Sequence, residues 1–288
     1  MGSGSVIQRY MNLSKFLYLL QNSTLFLPKM SIFDDHLEGG LTASDYLKNA
    51  NDAAAFDIGI NRFMSPCGET PTQREDRLRA NDLAMQGLNN KRFITPFGEY
   101  FKNDIQTVFS KCREYIYVSC WHHSNFECSA MWKLYGAEKN SVCIFTSVEK
   151  LEQQVIHSEL LDNIKLEDVN YIDHAKAKFG SNCLEPFISK SLSFSFEKEL
   201  RLVAFDSKID LARIEQNEKV GVNIRIRSLS ELIDRVVVSP NSDSWFKDCV
   251  QKLCNEYGLG IEVKMSSLKR ERNESFLGAM AQFQNIEL

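Results

Sequence analysis

The chain has no long apolar run. Its longest, such as Phe16–Leu20, fall far short of the roughly 18–20 residues a membrane helix requires, and no signal-peptide core is visible. These two absences lead to the expectation of a cytoplasmic protein with no membrane partner. Nor is there an excess of positive charge. Lys and Arg number 34 against 38 Asp and Glu, a formal charge of −4, so nothing global advertises nucleic acid, although a local patch can still bind it. No C-x-x-C pair occurs among the cysteines at 67, 112, 120, 128, 143, 183, 249 and 254. Most lie in apolar surroundings such as Ser141–Phe145, where cysteine behaves as a small hydrophobe, and reduced thiols follow. P-loop, G-x-G-x-x-G and G-x-S-x-G patterns are missing as well. The Walker NTPase, Rossmann and α/β-hydrolase readings therefore lose their main sequence support. No internal repeat or low-complexity run is present.

What remains is an ordinary globular composition, 43% hydrophobic and 25% charged over 288 residues, long enough to bury a sizeable core. Residues 1–5 read as an expression scar or flexible leader. Short β-like runs are expected at Val6–Tyr10, Thr24–Leu27, Tyr115–Trp121, Ser141–Thr146, Val169–Ile172, Glu199–Phe205, Val220–Ile226, Arg235–Ser239 and Ile261–Met265. Asn12 or Ser14 is placed to cap a helix carrying Leu13, Phe16, Leu17 and Leu20 on one face. A second helix, Ser244–Tyr257, spaces Trp245, Cys249 and Leu253 by four. Residues 42–112 differ, with helical stretches near 43–54, 72–90 and 97–112, and read as a helical insertion that offers a surface to a protein partner. Successive β runs with few long helices between them predict an α+β fold, one domain over 6–265 with a twisted, largely antiparallel sheet. Residues 266–288 read as a C-terminal docking segment.

Three constellations carry chemistry. In Phe196–Arg201 the period of two along a strand puts Glu197, Glu199 and Arg201 on one face. Two carboxylates and a guanidinium there perturb one another and can orient a sugar hydroxyl; the plainer alternative is a structural ion network. In Val118–Tyr135 a strand end, a polar loop and a helix bearing Met131, Trp132 and Tyr135 follow one another. Cys120, His122, His123 and Cys128 match no standard zinc spacing, so no metal is expected. The loop Phe33–Glu38 gathers Asp34, Asp35, His36 and Glu38, either to contact a cation or ribose hydroxyls or as a capped turn.

Taken in order, Tyr10–Leu17, Leu25–Leu27 with Phe33–Glu38, Val118–Trp121 with Met131–Tyr135, and Phe196–Leu202 resemble the motifs of a bacterial family, domain of unknown function 2971. The layout is also similar to ADP-ribosyltransferase-like folds. There Arg9 or Tyr10 would stand on the first strand, Ser119 on a middle strand and Glu197/Glu199 on a late one. That resemblance implies NAD as a substrate, consumed by an ADP-ribosyltransferase or NAD glycohydrolase acting as a toxin or antiphage-defence effector. Its acceptor would be nucleic acid or protein. It casts Glu199, Glu197 and Arg201 as catalytic, and Arg9, Tyr10, Asp35, Glu38, Ser119, Trp121, Trp132 and Tyr135 as nucleotide-binding. The competing reading is a non-catalytic sensor or partner-binding module of a defence or regulatory system.

Overall fold

The computed structural model describes residues 5–45, 52–136, 139–157, 160–214 and 216–269. In chain order its strands are β1 (Val6–Asn12), β2 (Thr24–Pro28), β3 (Arg92–Thr95), β4 (Gly98–Phe101), β5 (Tyr117–His123), β6 (Ser141–Ser147), β7 (Asn163–Asp168), β8 (Asn170–Ile172), β9 (Ser189–Ser191), β10 (Glu199–Phe205), β11 (Gly221–Arg225), β12 (Arg235–Val238) and β13 (Val263–Met265). The helices are α1 (Leu13–Asn22), α2 (Asp52–Phe63), α3 (Pro71–Asn89), α4 (Ile105–Tyr115), α5 (Ser129–Tyr135), α6 (Val148–Gln154), α7 (Leu229–Leu232) and α8 (Ser244–Glu256). None of the described helices is long and apolar enough to cross a membrane. The expectation of a mixed α and β chain dominated by antiparallel pairing holds. The pairs β1–β6, β6–β12, β5–β10, β10–β7, β2–β11 and β3–β4 are antiparallel, against parallel β12–β13 and β8–β9.

The chain forms two compact units. The first comprises Met1–Ser23, Ser124–Gln154 and Ser228–Leu288. Its strands run in the order β13-β12-β6-β1, and α8 supplies the crossover that a parallel β12–β13 pair needs. Asn12 caps α1 by accepting from Lys15 N at 3.0 Å, and Phe16, Leu19 and Leu20 form its buried face. On α8 the buried row is Phe246, Val250 and Cys254, whereas Trp245 and Cys249 are exposed. The expected stripe is therefore displaced by one residue. Both rows repeat every four residues, and packing on the strands selects between them. Beneath α5, Tyr10 and Trp132 meet edge to face, with ring centroids 4.9 Å apart, in a core with Met131, Cys143, Phe145 and Val237.

The second unit comprises Thr24–His123 and Val155–Arg227, with strands in the order β5-β10-β7. Its core joins Phe109, Cys112 and Ile116 to Val118, Phe187, Val203 and Phe205. Within residues 42–112 the helix expected over 97–112 begins only at Ile105. Residues 46–51 lie outside those described, α2 and α3 pair as a hairpin, and Arg92–Phe101 folds into the β3–β4 hairpin. Helix α4 is not peripheral, since Ile105, Val108, Phe109 and Cys112 are all buried. The capping box of Thr70 and Gln73, with Pro71 in the first turn, starts α3. The eight cysteines form no disulfide.

Candidate functional site

Strand β10 is buried along its whole length, and its first residue is Glu199. Directly opposed residues of an antiparallel pair share a face, and neighbours alternate. Glu199 faces with His122, and Arg201 with Cys120. Arg201 donates from Nε to Glu199 Oε1 at 2.7 Å and from Nη2 to Oε2 at 3.1 Å. Its remaining reach is spent on the Phe187 carbonyl, 2.8 Å from Nη1, and on Glu38 Oε2, 2.5 Å from Nη2. Lys190, on β9, closes the cluster. Its Nζ lies 2.7 Å from Glu197, 3.1 Å from Glu38 and 3.6 Å from Glu199. The set is sealed: Arg201 is 0% exposed, Glu199 5% and Lys190 7%. Three carboxylates against two cations leave one formal negative charge in excess.

Glu197 reaches this cluster by a different route from the one its spacing implies. It ends a 3-10 turn, Leu192–Glu197, and Lys198 follows in the left-handed region at φ 42°. The strand face therefore starts at Glu199, and Glu197 joins through Lys190 rather than through period two. Glu38 arrives from the Phe33–Gly40 loop. The next residue, Gly39, has φ 71°, and a Cβ there would meet Arg113 Cγ at 3.0 Å and Met30 Sδ at 3.2 Å. Only glycine takes that turn and that close approach without strain.

Electrostatics fix the protonation states. Burial alone would raise the Glu199 carboxyl, but the Arg201 charge and hydrogen bonds, with Lys190, outweigh it and hold Glu199 below the usual range. Burial likewise works against the Lys190 and Arg201 charges. The facing carboxylates, Glu199 foremost, reverse that and hold both cations charged beyond their ordinary values. Burial lowers His122, whose Nδ1–H donates to the Glu197 carbonyl at 2.5 Å. Burial also lifts the Cys120 thiol and pushes Tyr171, whose hydroxyl accepts from Glu199 N at 2.8 Å, up to about 12. The result is a desolvated carboxylate fixed at a strand start.

The other residues singled out in the sequence are distributed differently. Ser119 and Trp121 pair with Leu202 and Leu200, so both point to the face of β5 and β10 opposite Glu199 and Arg201. They cannot flank Glu199 on its own face, which corrects the grouping expected from motif order. Asp35 lies in the Glu38 loop but uses Oδ1 to accept from Leu37 N at 2.9 Å, as an Asx turn. Arg9, Tyr10, Trp132 and Tyr135 belong to the first unit. There Tyr10 bonds Gln8 and the Cys128 amide, Trp132 donates to Glu127, and both rings are buried in the core rather than open to a ligand. Among the described residues, no group of three or more His, Cys, Asp or Glu is arranged to hold a metal. Sequence reasoning missed Lys190. The available signal was charge balance, because two or three buried carboxylates demand more than one cation.

No family model matches the chain, so the resemblance to domain of unknown function 2971 finds no support, and no curated protein matches it either. A solved structure, Thermus sp. 2.9 DarT in complex with ADP-ribosylated ssDNA, is similar with a TM-score of 0.35 and 6% identity, over 92% of this chain and 94% of that one. A likeness of that size carries no argument about activity.

Proposed function

We propose that the chain is an NAD-consuming enzyme, an ADP-ribosyltransferase or NAD glycohydrolase, whose anionic centre is Glu199. One observation supports this reading above others: Glu199 is a desolvated carboxylate, held ionised in a fixed geometry, within a cluster one negative charge in excess. Cleaving the nicotinamide–ribose bond builds positive charge on the ribose, and a preorganised carboxylate in a low-dielectric site stabilises that charge most where water is excluded. Arg201 orients Glu199, and His122 anchors the preceding turn through the Glu197 carbonyl. Access to a carboxylate 5% exposed requires the cover over the cluster to open, and that opening belongs to the proposal. The acceptor is nucleic acid, protein or water, and the chain acts in this reading as a toxin or defence effector.

A second reading, a partner-binding module without catalysis, is favoured by the closure of the same cluster and by helix α2. Phe56, Ile60 and Phe63 recur there at the spacing of one helical face, with Phe63 85% exposed. Incubating the protein with NAD and measuring free nicotinamide, with single-stranded DNA, protein or no acceptor, separates the two. Release above the uncatalysed rate supports the enzyme; none under any condition supports the module.

A further inference from the structure

In the first unit, Arg235 stands opposite Phe145 on β6, and Val237 stands opposite both Cys143 on β6 and Lys264 on β13. Alternation then places Arg235, Val237 and Lys264 on one sheet face, with Arg235 and Lys264 on a diagonal of adjacent strands. These three residues, with Phe126, Glu127 and Met265, line a cavity of about 520 Å³, within the roughly 300–1,000 Å³ range of small-molecule sites. Neither cation has an ion-pair partner among the described residues. The Arg235 guanidinium carbon lies over the Phe145 ring, 3.7 Å from its centroid. That contact holds the group at the sheet face, where its N–H donors suit a forked acceptor.

The wall carboxylate does not neutralise the pair. Glu127 already accepts from Trp132 Nε1 at 3.0 Å, Ser267 N at 2.9 Å, Ser267 Oγ at 3.0 Å and Ser266 Oγ, so its oxygens are committed. The lining keeps one formal positive charge, with Val237 and Met265 among its apolar members and the Phe126 ring 80% exposed. We infer that this cavity binds a phosphomonoester bearing a planar body, of nucleoside-monophosphate size. The phosphate sits between Arg235 and Lys264, and the planar body lies against Phe126 and the apolar part of the lining. None of these residues belongs to the Glu199 cluster, so this site and the NAD reading stand or fall separately.

The test is calorimetric titration of the full chain with AMP, adenosine and inorganic phosphate. AMP is expected to bind at one site, at least tenfold more tightly than either half. Lys264→Gln, an exposed change that spares the core, should weaken AMP severalfold, and Arg235→Gln by tenfold or more. Circular dichroism identifies any Arg235 variant that fails to fold, and Lys264→Gln then decides the result. No AMP binding, equal affinity for AMP and phosphate, or an undiminished affinity in Lys264→Gln would overturn the assignment.

Discussion

Arg201 is the residue on which the buried cluster turns, because its guanidinium alone touches Glu199, Glu38 and the Phe187 carbonyl together. Arg201→Met keeps most of the volume but leaves three carboxylates facing one lysine. Removing one partner of a buried ion network typically costs about 3–5 kcal/mol, so urea unfolding should lose stability of that order; a loss below about 1 kcal/mol would contradict the geometry. pH dependence follows from the same groups. Glu199 is depressed in the folded state, so its contribution is present above the ordinary carboxylate value of 4.5 and is lost as pH falls below it. His122 is also depressed, which adds a loss as pH drops below its ordinary 6.5. Lys190 and Arg201 are raised, so their contribution persists through alkaline pH. The melting temperature should therefore be flat from about pH 7 to 9, ease below about 6.5 and fall steeply below about 4.5. A maximum near pH 5 would refute these assignments.

At the scale of elements, the site depends on turns that deliver side chains into β10. The Glu199–Phe205 strand was legible because apolar and β-branched residues surround the charges. Glu197 joins the cluster but not along the strand face, because period two says nothing about where a strand begins and Lys198 breaks it in the left-handed region. Order in the sequence groups Ser119 and Trp121 with Glu199. Order cannot give register, and a register fixed by Leu202↔Ser119 sends them to the other face. Lys190 has no motif around it, and only the parallel pairing of β9 with β8 brings it under Tyr171. Gly39 carries the clearest test at this scale. Gly39→Ala adds a methyl against Arg113 and Met30 at a positive φ, so a loss of about 1–2 kcal/mol is expected. The Lys190–Glu38 and Arg201–Glu38 contacts should loosen with it; a neutral effect in chemical denaturation would show that Glu38 is not held by this turn.

For the whole molecule, composition and alternation foretold mixed α and β structure with antiparallel pairing, and they failed where packing decides. The β3–β4 hairpin arises because Phe93 and Tyr100 turn inward to the α4 core, which a charge-rich segment conceals. The partition into units, each drawn from distant stretches, is a matter of long-range contacts. In the proposed function Glu199 is a functional carboxylate and not only a member of an ion network. Glu199→Gln would sit between Arg201 and Lys190 with one amide donor facing cations, so some destabilisation accompanies the change under either reading. Stability alone therefore does not separate the readings. Nicotinamide release from NAD does, measured per mole of folded protein well below the variant's melting temperature. Release by the wild type is expected, with a rate roughly a hundred- to thousandfold lower for Glu199→Gln. Equal rates in the two proteins, or no release by either, would contradict it.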